Sequence, residues 1–173
     1  CKVGDYVSAE THVVCNRCPR CHVGEYHLCE NTQILGVDTD GVFAEYVAIP
    51  EQNIWVNDKD IPFELQSIQE PLGNAVHTAL SGELTARSVL VTGCGPIGIM
   101  SVAVAKMAGA EIVMAMDINE YRLQLAGQLG ADVLINPTKQ DPVEAVRSYT
   151  RGYGADVVLE MSGNPSAIRQ GLR

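Results

Sequence analysis

The sequence predicts an α/β fold, a β-rich and loop-rich first segment followed by a doubly wound parallel sheet, and three observations carry that expectation. Short apolar runs at 89–93 (VLVTG), 112–117 (IVMAMD), 133–135 (VLI) and 155–161 (ADVVLEM) alternate with stretches of helical period, the pattern of a parallel sheet built from βα units. A glycine-rich turn joins the first of those runs to the helix after it. Before about residue 60 the texture differs: brief strand-like runs are broken by Gly, Asp, Asn and Pro, with no sustained helical period. The join falls between Asp60 and Leu84, and the expected division is 1–70 and 71–173.

Taken in order, Tyr6-Val7-Ser8 and Phe43 to Ile49 are the clearest strand candidates of the first part. In the second part, His77 lies in a helix-like NAVHTAL and is expected to be packed inside it. Ile99 to Ala108 is apolar almost all round, as a helix buried between layers should be. Asn119 can cap a helix that runs to Gly130, and Asp141-Pro142 and Asn164-Pro165 each pair an N-cap with proline at the first helical position. In the order 3-2-1-4-5-6 such a sheet would use these runs as strands 3-2-1-4 and leave the fourth at an open apolar edge prone to aggregation.

The chain has 173 residues, 46% of them hydrophobic, enough for a buried core without disulfide staples. Four of its six cysteines crowd into residues 15–29, which points to metal and to a reducing, cytoplasmic setting. A net charge of -9 disfavours nucleic acid as a partner. Neither a signal peptide nor an apolar run of the roughly 18 residues a membrane span needs is visible. The start at Cys1 and the stop at Arg173 within a helical pattern suggest a fragment.

Gly93-Cys94-Gly95-Pro96-Ile97-Gly98 is a GxGxxG placed between a strand and a helix, and Asp117 ends the next strand 19 positions after Gly98. The glycines permit a tight turn, close approach of backbone to pyrophosphate and close packing of helix on strand, while the helix N-terminus offers free N–H groups. With the acid at that distance the motif predicts dinucleotide binding. A carboxylate at Asp117 can accept from both ribose hydroxyls and would repel a 2′-phosphate, which favours NAD; Arg122 nearby would suit NADP or be a solvated helix residue.

Cys15, Cys18, Cys21 and Cys29 follow the spacing C-x2-C-x2-C-x7-C, which lets four thiolates surround one zinc with no open position, a structural site. An iron–sulfur cluster and a nucleic-acid-binding zinc module are the competing readings. His22 and His27 are expected to be exposed loop residues beside it. Cys94 is expected to be a small packed side chain.

Together, GDYVSAETHVVC (4–15), LGVDTDGVFAEY (35–46), QEPLGNAVHTAL (69–80) and TGCGPIGIM (92–100) resemble the zinc-dependent medium-chain dehydrogenases over the whole chain, and most of all the branch acting on L-threonine. The resemblance implies part of a GroES-like catalytic domain followed by an incomplete Rossmann domain. It implies a zinc in the cleft that polarises a substrate hydroxyl while NAD takes the hydride, so that the 3-hydroxyl of L-threonine becomes a ketone. Glu70 matches a catalytic-zinc ligand, His12 a histidine near the substrate, and Ile97 an apolar side chain packed on the cofactor. The family's remaining zinc ligands lie upstream of Gly4-Asp5, so the catalytic zinc site of this segment is expected to be incomplete. Chains of this family span about twice this length and form dimers or tetramers. Polyol or butanediol oxidation, and a non-catalytic module holding zinc and NAD, are the alternatives.

Overall fold

Loop-forming residues leave room for only short ladders in the first seventy positions. The structure, a computed structural model describing residues 1–172, divides into two units, Cys1–Glu70 and Pro71–Arg173. The first contains β1 (Tyr6–Ala9), β2 (His12–Val13), a single helical turn α1 (Pro19–His22), β3 (Gln33–Ile34), β4 (Ile54–Asn57) and α2 (Phe63–Gln66). β1 pairs antiparallel with β4, Tyr6 opposite Asn57, and β2 with β3. A polar knot ties α2 to β1 and β4: Asn57 donates to Ser8 Oγ (2.7 Å) and Gln66 Oε1 (3.2 Å), and Ser8 Oγ donates to the Gln66 carbonyl (2.9 Å). Gln66 is buried and also donates to the Ile61 carbonyl (2.6 Å), so its amide is matched on both sides.

The strand expected over 43–49 is not formed. Phe43 and Tyr46 are 107% and 92% exposed, and the local bond there is a turn, Ala44 N–H to the Val42 carbonyl at 2.8 Å. Alternation expresses a preference for a pleated surface, but a strand needs a partner ladder for its backbone groups, and no strand of this unit lies alongside. Among the described residues of this unit, the buried members of the apolar core are Cys18 and Cys21. A unit with so little apolar burial needs another source of stability.

The second unit follows the βα alternation. After α3 (Gln69–Ala79) come β5 (Ser88–Thr92), α4 (Pro96–Met107), β6 (Ile112–Met116), α5 (Glu120–Gln128), β7 (Val133–Ile135), α6 (Pro142–Tyr149), β8 (Val157–Glu160) and α7 (Pro165–Gly171). The four strands are all parallel, in the order β7-β6-β5-β8, the predicted 3-2-1-4. Val89, Val91, Val113 and Ala115 form one core with Val102 and Ala105 of α4 and Leu123 of α5. Leu90, Met114 and Met116 point to the other face and meet Val146 of α6, with Ala167 of α7 packed against them. This is the alternation of side chains that a strand requires, and it covers both faces as a parallel sheet demands.

The caps act as the sequence predicts. Asn119 Oδ1 accepts from Tyr121 and Arg122 N–H (3.0 and 3.2 Å), Asp141 Oδ1 from Val143 and Glu144 N–H (2.8 and 3.1 Å), and Asn164 Oδ1 from Ser166 N–H (2.8 Å). α5 ends at Gln128, and Gly130 turns the chain away with φ of 109°. Two expectations are corrected. α4 buries one stripe (Gly98, Ser101, Val102, Ala105) while Met107 is 90% exposed, because a helix on one face of a sheet meets it along one stripe whatever its composition. His77 is exposed on α3, whose inward positions are Ala75 and Ala79.

Asp156 fastens the start of β8 to β5. Its Oδ2 accepts from Ser88 N–H (2.8 Å) and Ser88 Oγ (2.7 Å), and Ser88 Oγ accepts from Asp156 N–H (2.9 Å). The Ser88 hydroxyl and amide hold the Asp156 carboxyl below its usual range. A depressed folded pKa gives stability that is present above the unfolded value of about 3.9 and is lost as pH falls through the folded value. Asp156→Ala should therefore lower the melting temperature at about pH 7 and converge on the unaltered chain as pH drops below about 4. Thermal melts across that range check it, and an unchanged gap at low pH would contradict it.

Candidate metal centre and cofactor crevice

Asn16, in the left-handed region at φ 58°, reverses the chain after Cys15, and Pro19 then starts α1 with Cys18 as its N-cap residue. Cys21, three positions on, therefore returns to the same side as Cys18, and their sulfurs lie 3.5 Å apart. The four Sγ atoms of Cys15, Cys18, Cys21 and Cys29 lie within 4.8 Å of one another. Four sulfurs at zinc–thiolate distance sit about 3.8 Å apart at the corners of a tetrahedron, so the donor set fits one zinc. Cys18 and Cys21 are buried; Cys15 and Cys29 are half-buried.

The electrostatics differ along that line. Backbone N–H bonds, led by Arg17, bring the Cys15 thiol down to about 6 against opposing burial. The Cys15 amide holds Cys29 low in the same way, while burial, reinforced by Cys18, pushes Cys21 up to about 12. Within one cluster, two thiols are thus lowered by donated N–H bonds and one is raised by burial. His22 and His27 are exposed and stand outside the cluster.

The glycine turn is shaped by contact. Gly93 has φ 86°, and a Cβ on it would lie 2.7 Å from Ser162 Cα. A Cβ on Gly98 would meet the Gly93 carbonyl oxygen at 1.9 Å. Gly95 has nothing within 4 Å of its Cβ position, so its lack of a side chain keeps space open. Gly93 and Gly95 line a crevice of about 470 Å³ together with Asp117, Arg122, Thr138 and Asn164. Pro96, Ile97 and Gly98 do not line it: they form the first turn of α4 beneath the loop. The crevice opens where the loops after β5 and β8 diverge, the switch point of a doubly wound sheet and its usual ligand site.

Asp117 is buried. Its Oδ2 accepts from Cys94 N–H (2.7 Å) and its Oδ1 from Asn119 N–H (2.8 Å), so the carboxylate is fixed before any ligand arrives. Cys94, fully buried behind the loop, has its thiol pushed up to about 12 by burial and then by Asp117. Glu160, a residue the sequence reading passed over, organises the opposite wall. It accepts from Thr92 Oγ1 (3.2 Å), Ser162 N–H (2.9 Å), the Ser162 hydroxyl and Gly163 N–H (3.2 Å). Partial burial raises its carboxyl, but those donors, led by Ser162, outweigh it and hold it low. An acid ending an apolar strand run was the available signal.

In the first unit Glu10, His12 and Glu70 bring their ligand atoms within 4.8 Å of one another. Glu10 Oε1 accepts from His12 N–H (2.9 Å) and lies 2.6 Å from His12 Nδ1. A carboxylate can only accept, so Nδ1 carries a proton toward Glu10. Partial burial raises the Glu10 carboxyl, yet the His12 backbone and ring N–H groups outweigh it and leave it below the glutamate range. Thr11 Oγ1 donates to Glu70 Oε1 (2.8 Å). Glu10 was missed because it lies outside both strands, where the chain bends at Thr11 between β1 and β2, so no strand periodicity marks its approach to His12.

Among the described residues no helix is long and apolar enough to cross a membrane. The sequence profile described as zinc-binding dehydrogenase matches residues 96–173, and that of the alcohol dehydrogenase GroES-like domain matches residues 1–59. An L-threonine 3-dehydrogenase from Symbiobacterium thermophilum is 93% identical over 173 residues, which is 100% of this chain and 49% of that protein. The chain spans about half the length of the curated relatives it matches. Among solved structures, a short chain alcohol dehydrogenase from E. coli complexed with NADH superimposes with a TM-score of 0.89 at 30% identity, over 98% of this chain and 50% of that one. A zinc-binding dehydrogenase from Sinorhizobium meliloti bound to NADP gives 0.90 at 31% identity, over 97% and 50%.

Proposed function

Because the chain belongs to the zinc-binding dehydrogenases, with a GroES-like segment ahead of its dinucleotide-binding half, we propose that it serves the NAD-dependent oxidation of the 3-hydroxyl of L-threonine to 2-amino-3-oxobutanoate. The observation that carries this is 93% identity along the entire chain to a protein of that activity. In such a reaction a zinc ion lowers the pKa of the substrate hydroxyl, and NAD accepts the hydride leaving C3.

The residues of this chain take the remaining roles. The open space over Gly95 and the N-terminus of α4 receive the pyrophosphate, and Asp117, already fixed by the Cys94 and Asn119 amides, turns its free lone pairs to the ribose hydroxyls. Arg122 borders the same crevice, and Ile97 underlies it. Glu70, steadied by Thr11, offers a carboxylate to the catalytic cation. His12, pinned through Nδ1 by Glu10, presents Nε2 to receive the hydroxyl proton. The four-cysteine zinc is structural. The substrate is a small polar alcohol, the setting cytoplasmic and the assembly a dimer or tetramer.

One experiment has two arms. Titration calorimetry on this chain should show NAD binding at least about tenfold more tightly than NADP, with Asp117→Asn narrowing the gap. A substrate panel, run on the Symbiobacterium relative carrying this chain's residues, should favour L-threonine. Preference for sorbitol or butanediol there would replace threonine with a polyol, and equal affinity for the two dinucleotides would remove the role given to Asp117.

A further inference from the structure

The geometry points to Asn31 as a positioning residue of the metal centre: it clips the two less enclosed sulfurs, Cys15 and Cys29, together from outside the ligand set and so sets how tightly the lobe keeps its zinc. This rests on the structural-zinc reading of the four cysteines, not on the substrate.

Of the four cysteines, Cys18 and Cys21 are enclosed, at 5% exposure each, while Cys15 and Cys29 are half-buried. Loss of metal to solvent or to a competing ligand begins at the less enclosed pair. Asn31 lies over that pair with two donors. Its backbone N–H points at Cys29 Sγ (3.4 Å), and its side-chain Nδ2 at Cys15 Sγ (3.8 Å). The Cys15 amide completes the bridge to Cys29 Sγ at 3.3 Å. A thiolate only accepts, so the amide nitrogen of Asn31, not its oxygen, must face the sulfur.

The charge balance gives these donors their importance. Four thiolates around one divalent cation leave the cluster doubly negative, inside a chain whose net charge is already -9. Of the two nearby arginines, Arg20 is engaged by Glu25 at 2.7 Å. Direct relief at the sulfurs of Cys15 and Cys29 comes from N–H donors, which draw charge from sulfur and fix its direction toward the metal. Asn31 is itself exposed; its side chain covers no core, and the reason for an amide there is the sulfur it addresses.

The test uses the zinc-loaded 173-residue chain. Zinc release is followed with a chromogenic chelator, and cobalt(II) is substituted to report on the thiolates through the sulfur-to-cobalt absorption. Asn31→Ala removes the Nδ2 donor and keeps the backbone one; release should quicken roughly tenfold, the lower end of what outer partners of metal ligands contribute, and the absorption should shift. Asn31→Asp, of the same shape but with an acceptor facing sulfur, should release faster still. Thr85→Val, which removes a contact to the Ala108 carbonyl (3.1 Å) in the second unit, should leave both readouts unchanged. Equal release by the Ala and Asp variants with an unmoved cobalt spectrum would reduce Asn31 to a loop residue and overturn the proposal. So would retention equal to that of the unaltered chain. Absence of zinc from the unaltered chain would instead defeat the metal reading on which the proposal stands.

Discussion

Cys18→Ser leaves the chain without stoichiometric zinc and unfolds residues 15–29, the largest effect expected of any single substitution here. The side chain is buried with Cys21, and these two cysteines are the whole of the buried apolar class among the described residues of the first unit. No aliphatic core stands behind them to hold the lobe when the metal leaves. Structural zinc in comparable small domains is worth about 10–16 kcal/mol of apparent binding free energy at neutral pH. One missing thiolate, replaced by a hydroxyl that does not ionise, forfeits a large share of that. Plasma emission spectrometry should read near zero zinc per chain, and limited proteolysis should cut within the lobe. Cys94→Ser, in the other unit and fully buried, should keep its zinc. A Cys18→Ser chain that holds one zinc with an intact lobe would show that three sulfurs suffice and that the closed-site reading is wrong.

Gly98→Ala should abolish dinucleotide binding and destabilise the second unit together. The added methyl would sit 1.9 Å from the Gly93 carbonyl oxygen and 3.0 Å from its carbon, both backbone atoms of the loop itself. Nothing there can rotate aside, so α4 must separate from the turn; overpacking of this kind costs about 1–3 kcal/mol. NAD affinity should fall by about a hundredfold or more, equivalent to roughly 2.7 kcal/mol, because the turn no longer closes against the N-terminus of α4. Gly95→Ala makes the discriminating comparison. Its Cβ position is open and its φ is -69°, so stability should be kept while the methyl intrudes where the pyrophosphate approaches. Calorimetry for binding and thermal melts for stability separate the two. If Gly95→Ala binds NAD as well as the unaltered chain does, the pyrophosphate does not lie against that loop.

Much of the second unit was legible in the sequence because its signals are local. Asn119, Asp141 and Asn164 each satisfy amides two or three residues away, and such bonds depend on nothing distant. The sheet order followed from the 3-2-1-4-5-6 winding of a doubly wound dinucleotide-binding sheet, to which the βα alternation and the glycine turn pointed. The glycines were legible as a motif, but their separate duties were not: only the fold puts Gly93 against Ser162, Gly98 against Gly93, and Gly95 against open space.

The sequence by itself determined the four-cysteine cluster, the βα winding and the acid that ends β6, since each is written in spacing or in near-neighbour bonding. Tertiary structure alone decided that residues 43–49 stay unpaired, that His77 faces outward, that Glu160 braces the wall of the crevice, that Glu10 pins His12 beside Glu70 and that Asn31 reaches back to Cys15. Those outcomes turn on partners brought together by folding, such as Thr92 with Glu160 across 68 positions and Thr11 with Glu70 across 59. A linear pattern can state what a side chain prefers; which group it meets depends on where the rest of the chain has been placed.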